Sequence, residues 1–264
     1  MSFIDVNGIT LHYRLAGVPG GAPLVFVNSL GTDLRIWDEV VEHLADRYRI
    51  LCYDKRGHGL SDAPPGPYGL DDLVGDLAGL TQRLEFQRFA LAGVSVGGLI
   101  AQGFALAHGE RLTSLILCDT AARIGSHASW SERIDLVRAN GLAAVSDRLL
   151  ERWFAPDFRA QRPADYAGWR TMLERTPLAG YVATCAALRD ADLTEDVADI
   201  AVPALLVCGA EDSSTPVDLV RDTAARIPAS HFEVIAGAGH LPCIEAPEPL
   251  ARLIAGHLEK TIHG

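Results

Sequence analysis

The chain has 264 residues, with 34 acidic against 23 basic side chains and a formal net charge of −11 at neutral pH. Such a charge works against nucleic acid and anionic membrane surfaces as partners, and it obliges an anionic small ligand to find a local cationic anchor. With 48% hydrophobic and 22% charged residues, the composition is that of an ordinary globular protein able to bury a large core.

The opening residues Met-Ser-Phe-Ile-Asp-Val-Asn-Gly do not read as a signal peptide. No apolar run reaches membrane-spanning length, so a cytoplasmic location is expected. Residues 3–6 and 9–15 alternate apolar with polar side chains around Asn7-Gly8, a two-residue hairpin signal. Short continuous apolar runs follow at 23–27, 48–53, 89–92, 115–118, 204–208 and 232–235. Their length and their Gly-rich or polar borders predict strands buried on both faces.

Helical periodicity occupies most of the intervals, at 37–44, 70–84, 98–107, 216–227 and 247–258. Strand and helix in alternation predict an α/β fold with a mainly parallel sheet. Residues 122–195 break the alternation: they carry Trp130, Trp153, Trp169 and many arginines, with helical periodicity and no strand pattern. The expected organisation is a core made of residues 1–121 and 196–264, with 122–195 as a helical insertion over the active edge of the sheet. Five scattered cysteines (Cys52, Cys118, Cys185, Cys208 and Cys243) include no CxxC pair. Several sit inside apolar runs, which predicts buried free thiols in a reducing compartment.

The run 89–92 leads into Gly93-Val94-Ser95-Val96-Gly97, a G-x-S-x-G pentapeptide with a helical pattern after it. Composition alone yields about 0.1 such matches by chance, so its surroundings decide. A serine hydroxyl needs an exposed perch and a base, and the base needs an orienting acid. The run 204–208 ends in Gly209-Ala210-Glu211-Asp212, and 232–235 ends in Ala236-Gly237-Ala238-Gly239-His240. Asp212 and His240 therefore fall at the carboxyl ends of late strands, where α/β folds place their sites. Glu211 is a substitute for the acid. His58, in Asp54-Lys55-Arg56-Gly57-His58-Gly59, reads as structural, and the remaining histidines, His263 among them, lack a strand-end context. No histidine pair has metal-ligand spacing, so no metal is expected. For an oxyanion, the backbone N–H of Val96 and that of Leu30, in the loop Asn28-Ser29-Leu30-Gly31 after 23–27, are the expected donors.

With serine, acid, histidine and oxyanion loop in this order, the chain resembles the α/β-hydrolases over nearly its whole length. That resemblance implies a mainly parallel twisted sheet flanked by helices, with a helical cap insertion. Asn28-Ser29-Leu30-Gly31-Thr32-Asp33-Leu34-Arg35-Ile36-Trp37 is unusual among these hydrolases, as are Cys118-Asp119-Thr120-Ala121-Ala122-Arg123-Ile124-Gly125 and Ala186-Ala187-Leu188-Arg189-Asp190-Ala191-Asp192. With Tyr53-Asp54-Lys55-Arg56-Gly57-His58-Gly59-Leu60-Ser61 they resemble the 3-oxoadipate enol-lactonases of aromatic catabolism, the β-ketoadipate pathway. The resemblance implies opening of a small anionic lactone by Ser95, His240 and Asp212 without a cofactor. Arginine suits the lactone's carboxylate; Arg133 is the first candidate anchor and Arg123 the second, with Trp130 as a wall for the ring. A general carboxylesterase, a C–C bond hydrolase of the same fold and, more remotely, a non-catalytic receptor are the competing readings.

Overall fold

A computed structural model describes residues 2–262; His263 lies outside them. Eight strands form one sheet: β1 (Ser2–Val6), β2 (Ile9–Gly17), β3 (Ala22–Val27), β4 (Tyr48–Tyr53), β5 (Phe89–Val94), β6 (Leu112–Cys118), β7 (Ala204–Gly209) and β8 (Ser230–Ile235). Their order is β1-β2-β4-β3-β5-β6-β7-β8. The contacts of β2 with β1 and β4 are antiparallel, and all the others are parallel. The first hairpin is set by its turn. Asn7 and Gly8 both take positive φ, 53° and 79°, and Val6 pairs with Ile9 across them, the geometry a two-residue turn needs to match the strand twist.

Outside the sheet's middle lie α1 (Asp38–Leu44), α2 (Leu70–Arg83), α3 (Val96–His108), α9 (Val217–Arg226), α10 (Pro242–Glu245) and α11 (Pro247–Ile262). Between β6 and β7 the chain makes α4 (His127–Asn140), α5 (Ser146–Trp153), α6 (Pro156–Gln161), α7 (Pro163–Glu174) and α8 (Leu178–Asp190), with no strand. Every residue of β5 and β7 is buried because helices cover both faces, which is why these strands read as unbroken apolar runs. The edge strand β8 instead leaves side chains half-exposed.

The fold is the α/β-hydrolase fold expected from the sequence, with small shifts at element ends. Helix α3 starts at Val96 rather than 98, since the turn at Ser95 passes directly into helix. The expected helix at 37–44 is preceded by a 3-10 turn over Leu34–Trp37, capped by Asp33, whose carboxylate accepts the Arg35 N–H at 3.0 Å. All five cysteines are free and buried, as the apolar runs around them predict. Among the described residues no helix is long and apolar enough to cross a membrane.

Candidate active site

Ser95 sits between the central strand β5 and α3 with φ 57° and ψ −121°, a strained combination for a residue with a side chain. The flanking glycines make the turn possible. A Cβ on Gly93 would stand 2.2 Å from the Gly97 carbonyl oxygen, and one on Gly97 would stand 2.4 Å from that of Val27. Only hydrogen fits at either position. The turn is pinned from both sides: Ser95 N–H donates to Cys118 O at 3.0 Å, and the Thr120 hydroxyl donates to Ser95 O at 2.7 Å.

Asp212 and His240 meet at the ends of β7 and β8. His240 Nδ1 donates to Asp212 Oδ2 at 2.8 Å, with 3% and 0% of the two side chains exposed. Asp212 also accepts from the Thr215 hydroxyl at 2.7 Å and from the N–H groups of Ser214 and Thr215 at 2.6 and 3.1 Å. Burial works against its charge, but the His240 ring and the donors of His240, Thr215 and Ser214 hold the carboxyl below its ordinary range. Glu211 is exposed, so the structure assigns the contact with His240 to Asp212.

Ser95 and His240 open onto one cavity of about 100 Å³, which also takes in Ser29, Leu30, Trp130, Arg133 and Arg152. The loop that carries Leu30 is held by two buried groups from the turn after β4. Lys55 Nζ donates to Ser29 O, and Gly31 N–H donates to His58 Nε2 at 3.0 Å. His58 Nδ1 faces Arg56 O at 3.2 Å, which fixes the neutral tautomer with hydrogen on Nδ1. Burial and the charge of Lys55 keep the ring well below its ordinary pKa. His58 is thus structural, as its sequence context suggests, and what it supports is the loop of Leu30. Val96 follows Ser95 in the first turn of α3, where backbone N–H groups have no partner within the helix.

The three substrate-binding candidates separate. Trp130 and Arg133 line the cavity, with the guanidinium 5.0 Å from the indole centre. The Trp130 Nε1–H is tied to Ile124 O. Arg123 is corrected: it does not line the cavity, and its Nη1 pairs with Asp192 Oδ2 at 2.8 Å on the surface. Arg152 of α5, which sequence reasoning missed, lines the cavity instead. Arg152 Nη2 donates to Ser213 O at 3.1 Å, beside the loop of Asp212. Burial and the charge of Arg133 lower its pKa, though guanidinium stays charged. Among the described residues neither Arg133 nor Arg152 has an acidic partner. Periodicity assigns Arg152 to a helix but cannot tell which helix face meets the serine.

Potential metal ligands are few. Among the described residues a single group, Asp119, Cys208 and Asp212, brings three candidate atoms within 4.8 Å of one another. Asp212 in that group is already committed to its four protein donors.

The chain's relatives share its fold. A family model described as the alpha/beta hydrolase fold matches residues 22–247. The chain is 35% identical over 245 residues to 3-oxoadipate enol-lactonase 2 of Acinetobacter baylyi, covering 93% of this chain and 91% of that protein. The crystal structure of the enol-lactonase from Burkholderia xenovorans LB400 superposes with a TM-score of 0.95 at 36% identity, over 98% of this chain and all of the other. A thermophilic esterase from Thermogutta terrifontis, solved with malate bound, follows at 0.93 and 29% identity, with 99% of each chain covered. The chain therefore belongs to the α/β-hydrolase family and resembles its 3-oxoadipate enol-lactonases.

Proposed function

We propose that this hydrolase opens 3-oxoadipate enol-lactone to 3-oxoadipate through an acyl-enzyme on Ser95. The observation that carries the reading is a single cavity holding Ser95 and His240 together with Arg133 and Arg152, neither of which forms an ion pair among the described residues. A pocket for neutral esters has no use for that pair of cations, whereas a lactone bearing a carboxylate does. Enol-lactonases among the relatives at 35–36% identity support the same substrate class.

In this reading Ser95 Oγ attacks the lactone carbonyl while His240 Nε2 takes its proton. The carbonyl oxygen becomes an oxyanion facing the N–H groups of Leu30 and Val96. The ring C–O bond then breaks, and the enolate oxygen leaves and receives the proton held by His240. An enolate is a better leaving group than an alkoxide, so acid assistance matters less here than for a simple alkyl ester. His240 next activates a water that attacks the acyl carbon and releases a carboxylate and free Ser95. Asp212 holds the ring with hydrogen on Nδ1 and stabilises the imidazolium. Residues 1–121 and 196–264 supply this machinery, and 122–195 acts as the cap that chooses the acyl compound.

The deciding assay compares the enol-lactone with its muconolactone isomer and with a simple aryl ester. A large kcat/KM advantage for the enol-lactone is expected. Preference for the aryl ester would replace the lactonase reading with a general carboxylesterase.

A further inference from the structure

Asp119 has no part in the reaction above, yet it lies against the acid that does. It follows β6 directly, in the left-handed region at φ 45°, and is 0% exposed. Because β6 pairs with β7, with Cys118 opposite Val207, the end of β6 delivers Asp119 to the loop that carries Asp212. Its backbone N–H donates to Val207 O at 2.8 Å, and its Oδ1 accepts the Gly209 N–H at 2.8 Å. Its Oδ2 is buried and has no donor among the described residues. An oxygen of Asp119, an oxygen of Asp212 and Cys208 Sγ all lie within 4.8 Å of one another.

Two carboxylates this close, shut from water, do not both ionise. Asp212 has three donors from Ser214 and Thr215 plus the His240 ring, while Asp119 has one donor. The proton therefore belongs to Asp119, and protonation gives the orphaned Oδ2 a hydrogen to donate, with the Asp212 carboxylate as its neighbouring acceptor. The other titratable groups around Asp119 are Cys118, Cys208, Cys243 and Glu245. Burial keeps the three thiols protonated and so uncharged. Burial first, then the charge of Asp212, holds the Asp119 carboxyl well above the usual carboxylate range.

We propose that Asp119 is a protonated positioning residue whose carboxylic O–H donates to the Asp212 carboxylate and fixes it against His240. The proposal rests on Ser95, His240 and Asp212 acting as the triad, but not on the lactone as substrate. A neutral donor of this kind orients Asp212 without adding a second negative charge beneath the imidazole.

The test compares wild type, Asp119→Leu and the conservative Asp119→Asn on an aryl ester, with rates scaled to active sites titrated by a fluorophosphonate. Asp119→Leu is expected to lower kcat about tenfold with KM little changed, and to move the acid limb of the kcat/KM profile to higher pH. Asp212, deprived of its donor, then stabilises imidazolium more strongly. Asp119→Asn, whose amide N–H also reaches Asp212 while its oxygen accepts from Gly209, is expected to rescue kcat and return the acid limb to its wild-type position. In the infrared, the difference between wild type and Asp119→Asn, both at pH 7, should show the carbonyl band of a buried protonated carboxylic acid in addition to any band of Glu245, which titrates near 7 and is common to both.

A missing band overturns the proposal, and so does an acid limb in Asp119→Asn displaced to lower pH, the sign that an ionised carboxylate was removed. Unchanged kcat and profile in Asp119→Leu also overturn it. If the Leu variant does not fold, Asp119→Ala replaces it with the same expectation. Wild type that resists fluorophosphonate labelling would overturn the triad reading itself, while the infrared arm would still report on Asp119.

Discussion

The backbone N–H of His240 donates to the carbonyl of Trp153 at 2.8 Å, so the loop of the candidate base is hydrogen-bonded to the end of α5. Glu245 strengthens the same seam: one carboxylate oxygen accepts from Gly239 N–H at 2.9 Å and the other from Ala155 N–H at 2.8 Å. The helical insertion is therefore tied to the loop that presents the imidazole.

Removing that clamp has a defined cost. Glu245→Ala leaves two backbone donors without an acceptor and is expected to destabilise the protein by about 2 kcal/mol, read from denaturant unfolding. Burial raises the Glu245 carboxyl to about 7 despite its backbone donors. An acid raised in the folded state contributes stability that is present below its unfolded value and is lost as pH rises through 7. Between pH 4.5 and 7 the wild type should lose stability that Glu245→Gln retains; parallel profiles would refute the assignment.

Ser95→Ala should lower kcat by roughly 10³ or more and abolish fluorophosphonate labelling, with KM little changed. Asp212→Asn should fall by a similar factor while remaining folded, because the amide fits the same donors poorly and releases the histidine tautomer. Labelling of a residue other than Ser95 would remove the nucleophile assignment.

Arg133→Ala and Arg152→Ala should each raise KM for the anionic lactone about 10- to 100-fold, the worth of one charged hydrogen bond. Neither should alter KM for a neutral aryl ester more than about twofold. Arg123→Ala, whose partner is Asp192 on the surface, should leave both substrates alone. Equal losses on charged and neutral substrates would show that the arginines hold the insertion in place rather than the ligand.

His58 supports the loop of Leu30, and its depressed basicity gives a second pH signature. A base lowered in the folded state contributes stability above its unfolded pKa of about 6.5, and that contribution is lost as pH falls. Acid unfolding of wild type should therefore begin near pH 6.5, and His58→Asn should flatten that part of the curve. The same variant leaves Gly31 N–H without its acceptor, so kcat should drop about tenfold if Leu30 helps bind the oxyanion. Stopped-flow acylation with an aryl ester measures it directly.

The sequence by itself determined the order of strands and helices, the turn at Ser95 and the strand-end positions of Asp212 and His240. Those features are local: apolar runs, glycines that a Cβ would block, and loops that close specific strands. Everything that depends on strand neighbours or on helix facing was decided only by the tertiary structure. Asp119 and Asp212 lie 93 residues apart and meet because β6 pairs with β7. Arg123 and Arg152 both follow β6 as arginines in a mostly helical segment, yet packing turns one to Asp192 and the other to the serine. A period of 3.6 residues says that a helix has a buried face. Which partner that face meets depends on chain segments far away in sequence.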